Sequence, residues 1–114
     1  MTSGMRTVIY PVKDLDAAKA VFGAALNAEP VMDQPYYVQY DVEGLTIGLD
    51  PNGHRHGQAG PVLYWDVDDI TAAVHALVVA GATEVQPVKD VGGGKLIAVV
   101  TDADGNAIGL SQNP

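Results

Sequence analysis

The chain of 114 residues contains no cysteine, which excludes disulfides, thiol catalysis and thiolate metal sites. Bases are scarce: six Lys and Arg stand against 14 Asp and Glu, for a net charge of −8. Nucleic-acid binders need basic patches, and anionic membrane surfaces repel an acidic protein, so neither partner is expected. No apolar run approaches the roughly 20 residues of a membrane-spanning helix. The opening Met1-Thr2-Ser3-Gly4-Met5-Arg6 lacks the apolar core of a signal peptide. Together these absences lead to the expectation of a soluble cytoplasmic protein. What remains is a chain that is 47% hydrophobic, enough for a core, with an acid excess that attracts small cations at long range.

Local patterns divide the chain in two. Thr7 to Val12 reads as a strand rich in β-formers, with Pro11 confining it to an edge or an irregular place. Asp14 is a helix cap, and Leu15, Ala18, Phe22, Ala25 and Leu26 mark one face of a helix ending near Asn27. A short extended piece lies between Pro30 and Pro35. Tyr36 to Val42 and Leu45 to Leu49 read as a hairpin turning at Glu43-Gly44. Asp50 to Pro61, rich in Gly and Pro, is the longest loop and the natural midpoint. Thereafter the order restarts. Val62 to Val67 is a strand, and Asp68-Asp69 cap a helix with stripe residues Ile70, Ala73, Val74 and Leu77 that stops at Gly81. Three further strands follow, at Thr83–Val88, Lys95–Thr101 and Ala107–Ser111.

Each half therefore reads β-α-β-β-β, and the repeat is visible in residues as well as in pattern. Val12-Lys13-Asp14-Leu15-Asp16-Ala17-Ala18 lines up with Val67-Asp68-Asp69-Ile70-Thr71-Ala72-Ala73, and Ile47-Gly48-Leu49 lines up with Ile108-Gly109-Leu110. Two modules this small cannot each hold a core alone. The expectation is one α+β domain over residues 1–114, with modules at about 5–50 and 61–112 joined by a linker at 51–60.

These two repeats and the terminal Thr101-Asp102-Ala103-Asp104-Gly105-Asn106-Ala107-Ile108-Gly109-Leu110 resemble the vicinal oxygen chelate superfamily, which includes glyoxalase I, bleomycin-resistance proteins and extradiol dioxygenases. The resemblance covers nearly the whole chain. It implies two βαβββ modules whose mixed sheets curl around a cleft, helices on the outer face, and often a homodimer. In metal-dependent members, His and Glu from the first and last strands of each module hold a divalent ion. Carried over one by one, those positions fall on Thr7, Gly48, Val62 and Gly109. Threonine is a poor ligand, valine has no donor atom and glycine no side chain. The resemblance thus points to the branch similar to bleomycin-resistance proteins, which binds small molecules with no metal or other cofactor.

Other chemistry is thinner. His54 and His56 in the long loop, with Asp50, are the basis of an alternative reading as a lyase- or isomerase-type enzyme with an unorthodox site, and His75 is expected on the surface. A third reading is an interaction module without a ligand. Asp102-x-Asp104-x-Asn106 lacks the glycine position and distal Glu of a calcium loop, and Gly92-Gly93-Gly94-Lys95 lacks the Ser or Thr of a phosphate loop. Alternation along the strands places Thr7, Ile9, Gly48, Asp50, Val62, Tyr64, Asp66 and Gly109 on the side away from the helices, with Tyr10 and Trp65 on the helix side; on the third strand either parity is open, and if Val38, Tyr40 and Val42 are core, Tyr37, Gln39 and Asp41 join that side. Tyr37 and Tyr64 would offer flat walls, and Asp41, Asp50 and Asp66 acceptors for a cationic group. Gly48 and Gly109 either widen the floor for a flat or bulky ligand or mark side chains lost once a metal was no longer held. The expected function is binding or sequestration of a small cationic or aromatic molecule.

Overall fold

The structure, a computed structural model, describes residues 2–56 and 60–114; of Thr2, Ser3, Arg55 and His56 it describes the backbone alone. The chain is α+β and forms two compact units, one of Arg6–Val62 and one of Leu63–Pro114 with the residues ahead of Arg6. Among the described residues no helix is long and apolar enough to cross a membrane.

The N-terminal unit is built from the part of β1 (Thr2–Pro11) from Arg6 on, α1 (Leu15–Leu26), β2 (Met32–Gln34), β3 (Tyr37–Val42) and β4 (Leu45–Asp50), with strand order β2-β3-β4-β1. β1 begins well before the expected Thr7. The Asp14 side chain accepts from Ala17 N at 3.0 Å, which satisfies one of the amides a helix start leaves unpaired. Asn27 closes the helix in the left-handed region at φ 50°. Glu43 and Gly44 both take positive φ, as a two-residue hairpin turn requires. That turn sets the β3–β4 register, Tyr40 opposite Ile47 and Gln39 opposite Gly48, while β1 runs parallel to β4 with Ile9 opposite Gly48.

Period-two alternation then sorts the side chains. Val38, Tyr40, Ile47 and Leu49 are buried against Leu15, Ala18, Phe22 and Leu26 of α1 and against Tyr10 of β1. The Tyr10 and Phe22 rings lie 4.8 Å apart at 52°, a tilted pair. Ala25, expected on this stripe, is exposed. Burying each large side chain contributes roughly 1.5–3 kcal/mol. The Tyr40 hydroxyl, drawn into this core, donates to the Lys19 carbonyl at 3.2 Å.

The C-terminal unit repeats the plan with β5 (Val62–Val67), α2 (Ile70–Val79), β6 (Thr83–Asp90), β7 (Leu96–Thr101) and β8 (Ala107–Gln112), in the order β5-β8-β7-β6. Asp69 caps α2 through Ala72 N, and Gly81 at φ 115° follows its end, with Ala82 N donating to Leu77 O. Val67, Ile70, Val74, Ala98, Val100 and Leu110 form the core beneath α2. Both outer strands are blunted. β2 has three residues, and β6 carries Pro87 and two register shifts, which deters pairing with a foreign strand. The midpoint loop holds one 3-10 turn, Gly53–His56, that no periodicity marks.

Candidate functional site

Each sheet has a second face, away from its helix. In the N-terminal unit this face carries Thr7, Ile9, Tyr37, Gln39, Asp41, Thr46 and Gly48. The registers bring them into rungs: Asp41–Thr46–Thr7, then Gln39–Gly48–Ile9. Their polar atoms form a chain. Tyr37 O–H donates to Gln39 Oε1 at 3.1 Å, and Gln39 Nε2 donates to Asp41 Oδ1 at 3.1 Å. Thr46 Oγ1 donates to the same Asp41 oxygen at 3.3 Å. The Gln39 amide is thereby fixed at both ends. Thr46 was not singled out from the sequence; the Glu43-Gly44 turn, which fixes the hairpin register, is the signal that places it opposite Asp41.

The glycine of Ile47-Gly48-Leu49 is not an open floor, and this corrects the expectation from strand alternation. A Cβ built at Gly48 would fall against the Tyr37 hydroxyl, 2.7 Å from Tyr37 Cε1 and 2.6 Å from Ile9 Cδ1. The space a side chain would take there is filled by the chain's own Tyr37 and Ile9. The C-terminal unit does the same. Tyr64 stands opposite Gly109, and a Cβ at Gly109 would lie 2.7 Å from Tyr64 Cδ2 and 2.9 Å from the Leu63 carbonyl oxygen. On β1 and β5 the residues paired with the two glycines are Ile9 and Tyr64, two places on from Thr7 and Val62.

The remaining expected site residues divide by burial. Val62 and Tyr64 are 1% and 6% exposed, so the protein itself covers them. Asp66, half-buried, stands opposite Ser111, whose Oγ donates to Asp66 Oδ1 at 2.5 Å. Asp50 Oδ1 accepts from Asn52 N at 2.8 Å and so shapes the start of the midpoint loop. Tyr10 packs on α1 as expected, and Trp65, on the Val67 side of β5, is 38% exposed. His54 is exposed, and the His56 side chain lies outside the described residues. His75 is exposed and borders an open groove of about 540 Å³ between α2 and β6, whose walls include Val74, Val78 and Val88. The Asp102 carboxylate accepts from Asp104 N and from both the main chain and side chain of Asn106, which makes it a hairpin turn. The Asn106 side chain first, then its main chain, holds the Asp102 carboxyl below the usual carboxylate range. Among the described residues no group of three or more His, Asp or Glu is placed to hold a metal ion.

A family model, the Glyoxalase/Bleomycin resistance protein/Dioxygenase superfamily, matches residues 4–110. The chain belongs to this superfamily. Solved structures similar to it include a superfamily member from Vibrio splendidus 12B01, 16% identical with a TM-score of 0.73, over 96% of this chain and 99% of that one. Methylmalonyl-CoA epimerase from Mycobacterium tuberculosis is 19% identical with a TM-score of 0.67, over 99% and 89%. The Mn(II)-bound glyoxalase from Novosphingobium aromaticivorans is 21% identical with a TM-score of 0.71, over 97% of this chain but 39% of that one. At these identities the likeness is one of fold, and the relatives include both a metal-bound glyoxalase and an epimerase. No curated protein matches the chain.

Proposed function

We propose that this superfamily member binds a small organic molecule, cationic or aromatic, without a metal, on the sheet face that carries Tyr37, Gln39 and Asp41. The observation behind this reading is the hydrogen-bonded chain Tyr37–Gln39–Asp41–Thr46. It presents a half-buried aromatic ring beside an oriented amide and ends on a carboxylate. A few oriented polar groups beside an apolar wall are what fixes a small ligand in place. Ile9 supplies apolar surface next to the ring, and the net charge of −8 favours a positive ligand at encounter. The metal-free part of the reading rests on Thr7, Gly48, Val62 and Gly109, none of which offers the donors that the fold's metal chemistry uses.

A thermal-shift screen of aromatic and cationic small molecules tests the proposal. A ligand that binds the native state raises its stability, by about 2.7 kcal/mol at a hundredfold excess over Kd. Hits should lose their shift in Tyr37→Ala and Gln39→Leu. Stoichiometric Zn, Mn, Ni or Fe in the purified protein would sink the metal-free reading. Hits whose shift survives both substitutions would move the site elsewhere.

A further inference from the structure

We infer that the ligand of the Tyr37–Gln39–Asp41 face is a planar cyclic amide, seated by its adjacent carbonyl and N–H on the Gln39 side-chain amide and the Asp41 carboxylate. The inference rests on the reading that this face binds a small organic molecule, and it names the chemical class of that molecule.

Tyr37, Gln39 and Asp41 alternate along β3 and so share one face. A carboxylate only accepts hydrogen bonds, and this fixes every group behind it. Gln39 must turn its NH2 toward Asp41 Oδ1, 3.1 Å away, so its Oε1 faces Tyr37. Tyr37 must then give its proton to that oxygen, and Thr46 gives its own to Asp41 Oδ1. The chain therefore runs in one direction and cannot invert. Its bonds leave two groups over: the second N–H of Gln39, a donor, and Oδ2 of Asp41, an acceptor. Asp41 is exposed and Gln39 half-buried, so both groups are within reach of a molecule on this face. A ligand that satisfies the two together carries an acceptor beside a donor. A cyclic amide holds them on neighbouring atoms, and its flat ring suits the Tyr37 ring that lies over Gly48 beside Ile9. A forked cation fits less well. An amidinium engages both oxygens of a carboxylate, and Oδ1 here already accepts from Gln39 and Thr46. Its N–H groups would also point at the Gln39 N–H, donor against donor.

The test uses the full chain and the lactam α-pyridone, with N-methyl-α-pyridone and benzamidine as comparison probes, titrated by heteronuclear NMR that observes side-chain amides. The lactam should bind about tenfold tighter than either, the effect of one hydrogen bond to a charged group, and should move the Gln39 NH2 signals downfield. Asp41→Asn can keep an oxygen toward Gln39 and Thr46 but sets an NH2 in place of Oδ2, so it should abolish the preference for the lactam over its N-methyl form. Equal binding of the two pyridones, or a preference that survives Asp41→Asn, overturns the cyclic-amide assignment and leaves the small-molecule reading standing. Tighter binding of benzamidine than of the lactam overturns it in favour of a cation. Binding of none of the three overturns it, and a blank ligand screen as well would take the broader reading with it. Should Asp41→Asn not fold, undiminished lactam binding in Gln39→Leu overturns the assignment.

Discussion

The two units share one order of elements and one local device, a tyrosine ring laid across the glycine of Ile-Gly-Leu. They differ in what surrounds that device. In the N-terminal unit the face away from the helix is half-open and polar, with Tyr37, Gln39, Asp41 and Thr46 joined by hydrogen bonds. In the C-terminal unit the same face is more deeply buried: Tyr64, Val99 and Ser111 are 6%, 2% and 1% exposed, with Asp66 half-buried beside them. The helices differ in parallel, since α1 buries no residue fully and α2 buries Ile70 and Val74. A repeat thus conserves backbone plan and glycine positions while the faces diverge, one keeping polar groups accessible and the other spending its face on packing.

The comparison breaks most sharply at the glycines. Gly109→Ala should destabilise the protein by about 3 kcal/mol, because its Cβ meets the rigid Leu63 carbonyl as well as the Tyr64 ring. Gly48→Ala should cost about 1 kcal/mol, because its obstacles are the ends of the Tyr37 and Ile9 side chains, which can swing aside. Denaturant unfolding of the two variants measures the contrast; an equal cost would mean that the two tyrosines are held alike.

The caps should restore symmetry. Asp14→Ala and Asp69→Ala each remove one side-chain acceptor from a helix start, and each should cost about 1 kcal/mol by the same measurement. A much larger loss at Asp69 would show that α2 depends on its cap more than α1 does. Gln39→Leu breaks the polar chain on the open face. It should change stability by less than about 0.5 kcal/mol, because the groups it releases can reach water, while weakening any ligand found by the screen.

The smallest effect is a titration. The Asn106 side chain lowers the Asp102 carboxyl. A depressed carboxylate supports the fold above its unfolded pKa, and that support is lost as pH falls through the lower folded value. Asn106→Ala should move the Asp102 carboxyl resonance midpoint upward toward the ordinary range; an unchanged midpoint would discount the Asn106 bond.

Much of the fold was legible because its signals are local. Asp14 and Asp69 cap by reaching three residues along their own chain, and Glu43-Gly44 turns by its own backbone preference. Leu15, Ala18, Phe22 and Leu26 repeat with the helical period. The start of β1 was missed because Thr2 to Arg6 holds few β-formers. The 3-10 turn at Gly53–His56 has no periodic mark, and Ala25 lies at the margin of the apolar stripe, where a small residue signals little.

By itself the sequence determined the two-module plan, since periodicity, caps and turns act over a few residues and need no distant partner. It also led to the expectation that the metal-ligand positions of the resembled superfamily fall on Thr7, Gly48, Val62 and Gly109. Only tertiary structure decided what those glycines are for. Whether Gly48 opens space or yields it depends on Tyr37, two rows along a neighbouring strand, and Gly109 depends on Tyr64 through a parallel pairing across distant sequence. The same holds for Asp66 and Ser111, whose hydrogen bond exists because β5 and β8 meet in one register. Register sums packing over whole strands, and no single residue encodes it.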